Sequence, residues 1–374
     1  MRMTAHSKAP LASNVFPILF PILAAVLALS MPYIGFDAMQ TQLPVALTVD
    51  AVMIVIMLGA IFAAVHHADV IACRLGEPGG TLVLTLAVTV IEVALIESVV
   101  LDHDSSPGLA RDTVFSAVMI VCNGLVGLCV LLGGLRHREQ EFQTSGAGVY
   151  LSLLGALSVL TLVLPNYTLT IEGPYFSTAQ LIFVSVITVL LYVTFLFVQT
   201  SRHVDYFRTP YEEGAADENA YPSNNGVTLS VIMLLVALGG VILIAEKFAV
   251  VMETGVEQIG APQALVGIII AMVVMAPESI TAVQSARRDV LQKSLNVALG
   301  SSLATIGLTV PAVAITNIVL GKQLALGLSQ RDTLLLALTL FLSVLTFGTG
   351  RTNILSGLIH LVVFATFVFL IFVP

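Results

Sequence analysis

Leu82-Val83-Leu84-Thr85-Leu86-Ala87-Val88-Thr89-Val90-Ile91-Glu92-Val93-Ala94-Leu95-Ile96 sets a single carboxylate in the middle of an apolar run. A second stretch, Ile268-Ile269-Ile270-Ala271-Met272-Val273-Val274-Met275-Ala276-Pro277-Glu278, does the same later in the chain. An ionised carboxylate at the centre of a spanning helix costs about 2.5 to 3.5 kcal/mol on insertion scales. Each glutamate therefore needs a proton, a cation or a basic side chain, and no Lys or Arg lies near either one in its own run. Occupancy by a proton or cation is the more economical reading. The alternative is a pair of permanently protonated glutamates hydrogen-bonded within a bundle.

Working outward, the whole chain matches these two runs. Hydrophobic residues make up 57% and charged residues 10%, more apolar surface than a water-soluble fold can hide. A spanning helix needs about 20 apolar residues, and about eleven such runs follow one another, centred near positions 25, 55, 91, 124, 155, 188, 237, 274, 305, 340 and 363. The fold expected is an all-α integral membrane protein. The first run follows a short tail with Arg2 and Lys8 and contains Pro17 and Pro21; without a convincing small-residue cleavage site it reads as a retained helix. Cys73, Cys122 and Cys129 have neither a CxxC nor a Cys/His ligand spacing and read as packing residues. The net charge of -8 says little about partners, because much of the acid sits in connecting loops; lipid and small cations are the partners expected, not nucleic acid.

The longest hydrophilic stretch, 201–226, carries Asp205, Glu212, Glu213, Asp217 and Glu218. It divides the chain into 1–40 (tail and first helix), 41–200 (a first five-helix repeat) and 227–374 (a second). Glu92 and Glu278 each fall in the second helix of a half, each followed by an Arg-Asp pair, Arg111-Asp112 and Arg288-Asp289. An odd number of helices per half makes the repeats inverted, a recurring plan for secondary transporters with the substrate near the midplane. Of the 15 Lys and Arg, only Arg111, Lys247, Lys322 and Arg331 fall on the side away from the N-terminus. That bias places the N-terminus inside and the C-terminus outside.

Helical spacing lines up Thr81, Thr85, Thr89 and Glu92; then Glu278, Thr281 and Ser285; then Ser301, Thr305 and Thr309; and it puts Ser116 on one face with Asn123. These hydroxyls and the Asn123 amide are candidate accessory ligands, although hydroxyls in membrane helices also bond the preceding turn. Pro277 frees the carbonyl of Val273, a further candidate oxygen beside Glu278. Calcium takes six to eight oxygens, roughly, so the two glutamates need such help. Asp69, Glu97 and Glu246, at the ends of helices, are candidates for ion access or proton relay, with Asp102, His103 and Asp104 forming an outer vestibule beyond Glu97. His66 and His67 diverge too far on a helix to share one ion, and His360 reads as a satisfied core residue.

Leu75-Gly76-Glu77-Pro78-Gly79-Gly80-Thr81-Leu82 through Glu92, Ala276-Pro277-Glu278 through Arg287-Arg288-Asp289, Ser294-Leu295-Asn296 and Gly300-Ser301-Ser302 together resemble the cation/calcium exchanger superfamily, nearest to its bacterial calcium/sodium/potassium–proton antiporters. The resemblance implies alternating access in an inner membrane, with Glu92 and Glu278 binding cation and protons in turn, an acidic cytoplasmic loop, Ser302 among the ligating oxygens and no cofactor besides the transported ions. Two departures bear on selectivity. Many calcium/proton members carry Gly-Asn ahead of each glutamate, where this chain has Val88-Thr89 and Val274-Met275, and a Gln of the second motif is replaced near Thr305. The resemblance thus implies calcium/proton exchange and leaves sodium or potassium as the alternative cargo. A membrane-embedded enzyme is disfavoured, since no His-Glu-x-x-His, Gly-Asp protease signature or phosphate-cradling loop occurs.

Overall fold

Apolar stretches buried in lipid must satisfy their backbone internally, so they become helices. The computed structural model describes residues 12–34, 43–76, 79–101, 108–208 and 224–373. Glu77, Pro78, the vestibule residues Asp102, His103 and Asp104, and the acids Glu212, Glu213, Asp217 and Glu218 lie outside the described residues. The helices are α1 (Ala12–Ile34), α2 (Leu43–Leu75), α3 (Gly79–Leu101), α4 (Leu109–His137), α5 (Thr144–Tyr167), α6 (Thr178–Arg202), α7 (Asn224–Gln258), α8a (Ala264–Val274), α8b (Ala276–Arg287), α9 (Leu291–Leu320), α10 (Gln330–Phe347) and α11 (Ile354–Phe372). Among the described residues eight helices are long and apolar enough to cross a membrane, nine if α8a and α8b make one bent span. The chain is an all-α membrane protein. α1 and α3, each of 23 residues, occupy the two remaining expected positions.

The compact units cut across the sequence halves. One unit holds α1, α2, α3 up to Ala87 and α7 up to Phe248; the other holds the rest. α2, with 33 residues, and most of α7, with 35, are thus grouped together although the long hydrophilic stretch separates them in sequence. Within the first unit the helices meet closely through small residues, as expected where no hydrophobic force separates lipid from protein. A side chain at Gly59 would run into the Phe20 ring, and one at Gly240 into Ala24. His67 is anchored there by Ser230 Oγ (3.2 Å) and the Pro17 carbonyl (2.9 Å), so it is a packing histidine. Asp69 and Glu246 are exposed and lie inside α2 and α7, which run on to Leu75 and Gln258 rather than ending at these acids.

In the second unit α4 and α9 are central. Burial of 83% and 61% of their apolar windows, against 28% for α10 and α11, puts them at the heart of the packing. Both helices contain a π-turn, at Ile120–Leu125 and at Thr305–Thr309, which re-aims side chains by inserting one residue into the helix. The ends are tied by polar contacts: Ser177 and Gln180 form a reciprocal cap on α6, and Gln140–Glu141 pairs antiparallel with Arg351–Thr352. Ser294 Oγ donates to the Ala282 carbonyl (2.7 Å), and Asn296 Nδ2 donates to that of Phe207 (2.6 Å). The first ties α9 to α8b across the turn where Asp289 holds a positive φ of 64°, and the second ties α9 to the segment that follows α6.

Candidate cation and proton site

Glu92 arrives at its position because α3 is unbroken. Its side chain is only 6% exposed, and its Oε2 accepts a hydrogen bond from Thr305 Oγ1 at 3.1 Å. Thr309, one turn further on α9, turns its hydroxyl toward the same carboxylate without closing a hydrogen bond. The π-turn that begins at Thr305 presents both threonines to α3. Thr89 lies one turn before Glu92 and is buried; its hydroxyl, and those of Ser302 and Thr309 on α9, have no hydrogen-bond partner. A buried polar group left unpaired costs about 1 to 3 kcal/mol. The hydroxyls of Thr305 and Thr309 facing the Glu92 carboxylate are oxygens of the kind a site for a cation or a hydrated proton requires.

Glu278 sits in a different setting. Pro277 has no N–H to continue the helix, and α8 bends by 60° between its halves. Met275 shares its N–H between the carbonyls of Ala271 and Val273, so the Val273 oxygen, expected to be free for a cation, is drawn partly into the break. Glu278 lies half-buried in the first turn of α8b, and the carbonyl end of α8a opens onto the same break. Thr281 and Ser285 donate to the carbonyls of Pro277 (3.2 Å) and Thr281 (2.9 Å), spending their protons on the preceding turn and keeping lone pairs for a ligand. Ser116 does likewise to Asp112, whereas Thr305 has one proton between the Ser301 carbonyl and Glu92.

Asn123, expected beside the glutamates, has its amide engaged elsewhere. Its Nδ2 donates to Thr339 Oγ1 (2.8 Å), and its Oδ1 accepts from His360 Nδ1 (3.0 Å), while Thr346 Oγ1 lies 3.1 Å from His360 Nε2. The π-turn of α4 turns Asn123 toward α10 and α11. His360 is the satisfied core residue its sequence setting implied, fully buried with both ring nitrogens bonded. Glu97 is the residue whose weight sequence reasoning understated. Both its carboxylate oxygens are buried without a hydrogen bond, facing Thr316 on α9. Two glutamates of α3 thus face hydroxyls of one helix. Among the described residues no three His, Cys, Asp or Glu converge as a metal centre, so a bound cation would take hydroxyl, carbonyl or water oxygens too.

The model of the family described as sodium/calcium exchanger protein matches residues 45–201 and 229–373. A protein of Sinorhizobium fredii named as an ionic transporter is 45% identical over 320 residues, covering 85% of this chain and 87% of that one. The sodium-potassium/proton antiporter ChaA of Escherichia coli is 35% identical over 358 residues, 95% of each chain. Among solved structures, the selenium-substituted Ca2+/H+ antiporter YfkE aligns with a TM-score of 0.70 at 18% identity, over 96% of this chain and 100% of that one. That likeness is one of fold.

Proposed function

Because this chain belongs to the sodium/calcium exchanger family, we propose that it works as a cation/proton antiporter in which Glu92 and Glu278 bind cation and protons in turn. The observation that carries this reading is the Glu92 carboxylate, buried in a membrane helix with hydroxyls for neighbours. A divalent ion between two carboxylates and two protons on the same pair each cancel a charge of -2. Either loaded form can cross the low-dielectric barrier, and the empty form is held back by uncompensated charge. That asymmetry couples the two fluxes without any chemical step.

Calcium is the cargo this charge balance favours. A second reading, sodium or potassium exchanged for protons, is favoured by the Escherichia coli relative named for those ions and by Val88-Thr89 and Val274-Met275 preceding the glutamates. Thr89, Thr305 and Ser302 supply accessory oxygens, with Ser301 and Val273 contributing carbonyls; Asn123 joins them only if its amide leaves His360. Glu97 relays protons or ions toward the outer end of α3, and Asp69 and Glu246, exposed on α2 and α7, gather ions. The basic bias of the loops puts the N-terminus inside and the C-terminus outside, in a bacterial inner membrane.

The deciding experiment is proton flux in proteoliposomes under one imposed pH gradient, with calcium, sodium or potassium added in turn. Saturable flux with calcium supports the first reading, and flux with the monovalent ions alone supports the second. Proton flux indifferent to every cation would overturn both.

A further inference from the structure

On the second unit, where the C-terminal ends of α4 and α8b lie side by side, a concavity of about 480 Å³ is lined by Arg136, His137, Gln284, Arg287 and Arg288. It lies apart from the glutamates, and no acidic side chain lines it. Arg111, Arg208, Arg331 and Arg351 each hold a carboxylate, yet none of the three pocket arginines enters an ion pair among the described residues. The adjacent acid in sequence, Asp289, accepts instead from Gln140 Nε2 at 3.0 Å. The last carbonyls of a helix take donors or cations, and His137 Nε2 already bonds the Arg287 carbonyl of α8b at 3.1 Å. Three guanidiniums exceed that need and leave an anion site of concentrated positive charge.

The surface leading into the pocket identifies the anion's source. Along α8b, Ile280 (47% exposed), Gln284 and Arg287 or Arg288 follow at helical spacing on one outward stripe; on α4, Leu128 and Leu135, which precede Arg136 in sequence, are exposed as well. Apolar side chains open to lipid thus lead directly to a basic cup. That sequence of surfaces matches an acyl chain joined to a phosphate, whereas free phosphate would make no use of the apolar stripe. We propose that this pocket binds the headgroup of an anionic phospholipid, bracing α8b, the half-helix that carries Glu278, against α4. Basic pockets of this kind between membrane helices hold anionic headgroups, and guanidinium matches phosphate in bidentate geometry.

The test uses the full-length protein in phosphatidylcholine vesicles with or without phosphatidylglycerol. Retention of phosphatidylglycerol is read by native mass spectrometry and cation-driven proton flux is read in the same vesicles. The wild type should retain phosphatidylglycerol and exchange faster when it is present. Arg136→Gln and Arg287→Gln should each weaken retention by about fivefold, the worth of one basic residue at an anionic surface. Arg202→Gln, an exposed arginine on α6, should leave retention as in the wild type. Equal flux of wild type and variants in phosphatidylcholine alone would show that the variants are folded. Should a variant fail to insert, the wild type's preference between the two lipids decides the matter. No preference, or equal loss with Arg202→Gln, would overturn the proposal. Displacement of the lipid by inorganic phosphate alone would overturn the lipid source and leave a phosphate site. The binding readout needs no transport, so it stands or falls separately from the antiport reading.

Discussion

α3 and α8 each carry a glutamate in an apolar run of one sequence half, Glu92 buried and Glu278 half-buried, and they hold it differently. α3 runs straight through Ile91-Glu92, delivering the carboxylate to Thr305 on α9. α8 breaks at Met275-Ala276-Pro277 and sets Glu278 in the first turn of a new helix, with the carbonyl end of α8a beside it. Among the residues that differ ahead of the two glutamates, Pro277 in place of Ile91 is the one that cannot continue a helix. The two glutamates therefore sit in unequal settings, Glu92 beside hydroxyl donors and Glu278 at the start of a half-helix that follows a break.

Replacing the carboxylates tests this comparison most severely. Glu92→Gln and Glu278→Gln keep size and hydrogen bonding but remove one charge and one exchangeable proton. Each should cut exchange on the order of a hundredfold or more, since the loaded forms no longer neutralise the pair. In the wild type, lowering pH should weaken apparent cation affinity and adding cation should release protons, by linkage. Paired flux measurements on purified, monodisperse protein decide the point. Full pH-coupled exchange by either variant would remove both glutamates from the mechanism.

Next in size is the effect of the break itself. Pro277→Ala restores an N–H for the Val273 carbonyl and removes a ring clash, together worth up to about 3 kcal/mol in favour of a straight helix. Glu278 would then lose its place at a helix start, and the exchange rate should fall roughly tenfold. Expression and thermal stability should hold or rise. An unchanged rate would show that Glu278 does not depend on the broken helix, and the contrast with α3 would lose its functional meaning.

Much of this was legible in the chain. The apolar runs stand out because a bilayer demands them, and Glu92 and Glu278 stand out because lipid penalises charge. Pro277 announced the break. The π-turns at Ile120–Leu125 and Thr305–Thr309 were hidden, since one inserted residue leaves no trace in composition. For that reason Asn123 was expected near the glutamates, whereas its amide meets Thr339 and His360. The grouping of α2 with α7 was hidden too, because contiguous halves in sequence say nothing of which helices pack together. Ser294 and Asn296, part of the pattern that carried the family resemblance, hold backbone carbonyls of α8b and of the segment after α6, at Ala282 and Phe207.

The smallest effects come from the hydroxyls, where the two sites should still differ. Thr305 Oγ1 reaches both the Ser301 carbonyl and Glu92 Oε2, each at 3.1 Å, so Thr305→Val removes a donor to a buried carboxylate. A hydrogen bond of that kind contributes about 1 kcal/mol or somewhat more, and apparent cation affinity should change about fivefold. Thr281 lies one turn beyond Glu278, and its proton is spent on the Pro277 carbonyl at 3.2 Å. Thr281→Ala removes a bond within one turn of exposed helix and should leave affinity within about twofold, the range of a neutral surface change. Cation titrations of proton flux in the two variants, side by side, give the ratio directly. A large loss with Thr281→Ala beside a silent Thr305→Val would reverse the assignment, making the broken helix the hydroxyl-dependent site and α3 the one that works without hydroxyl donors.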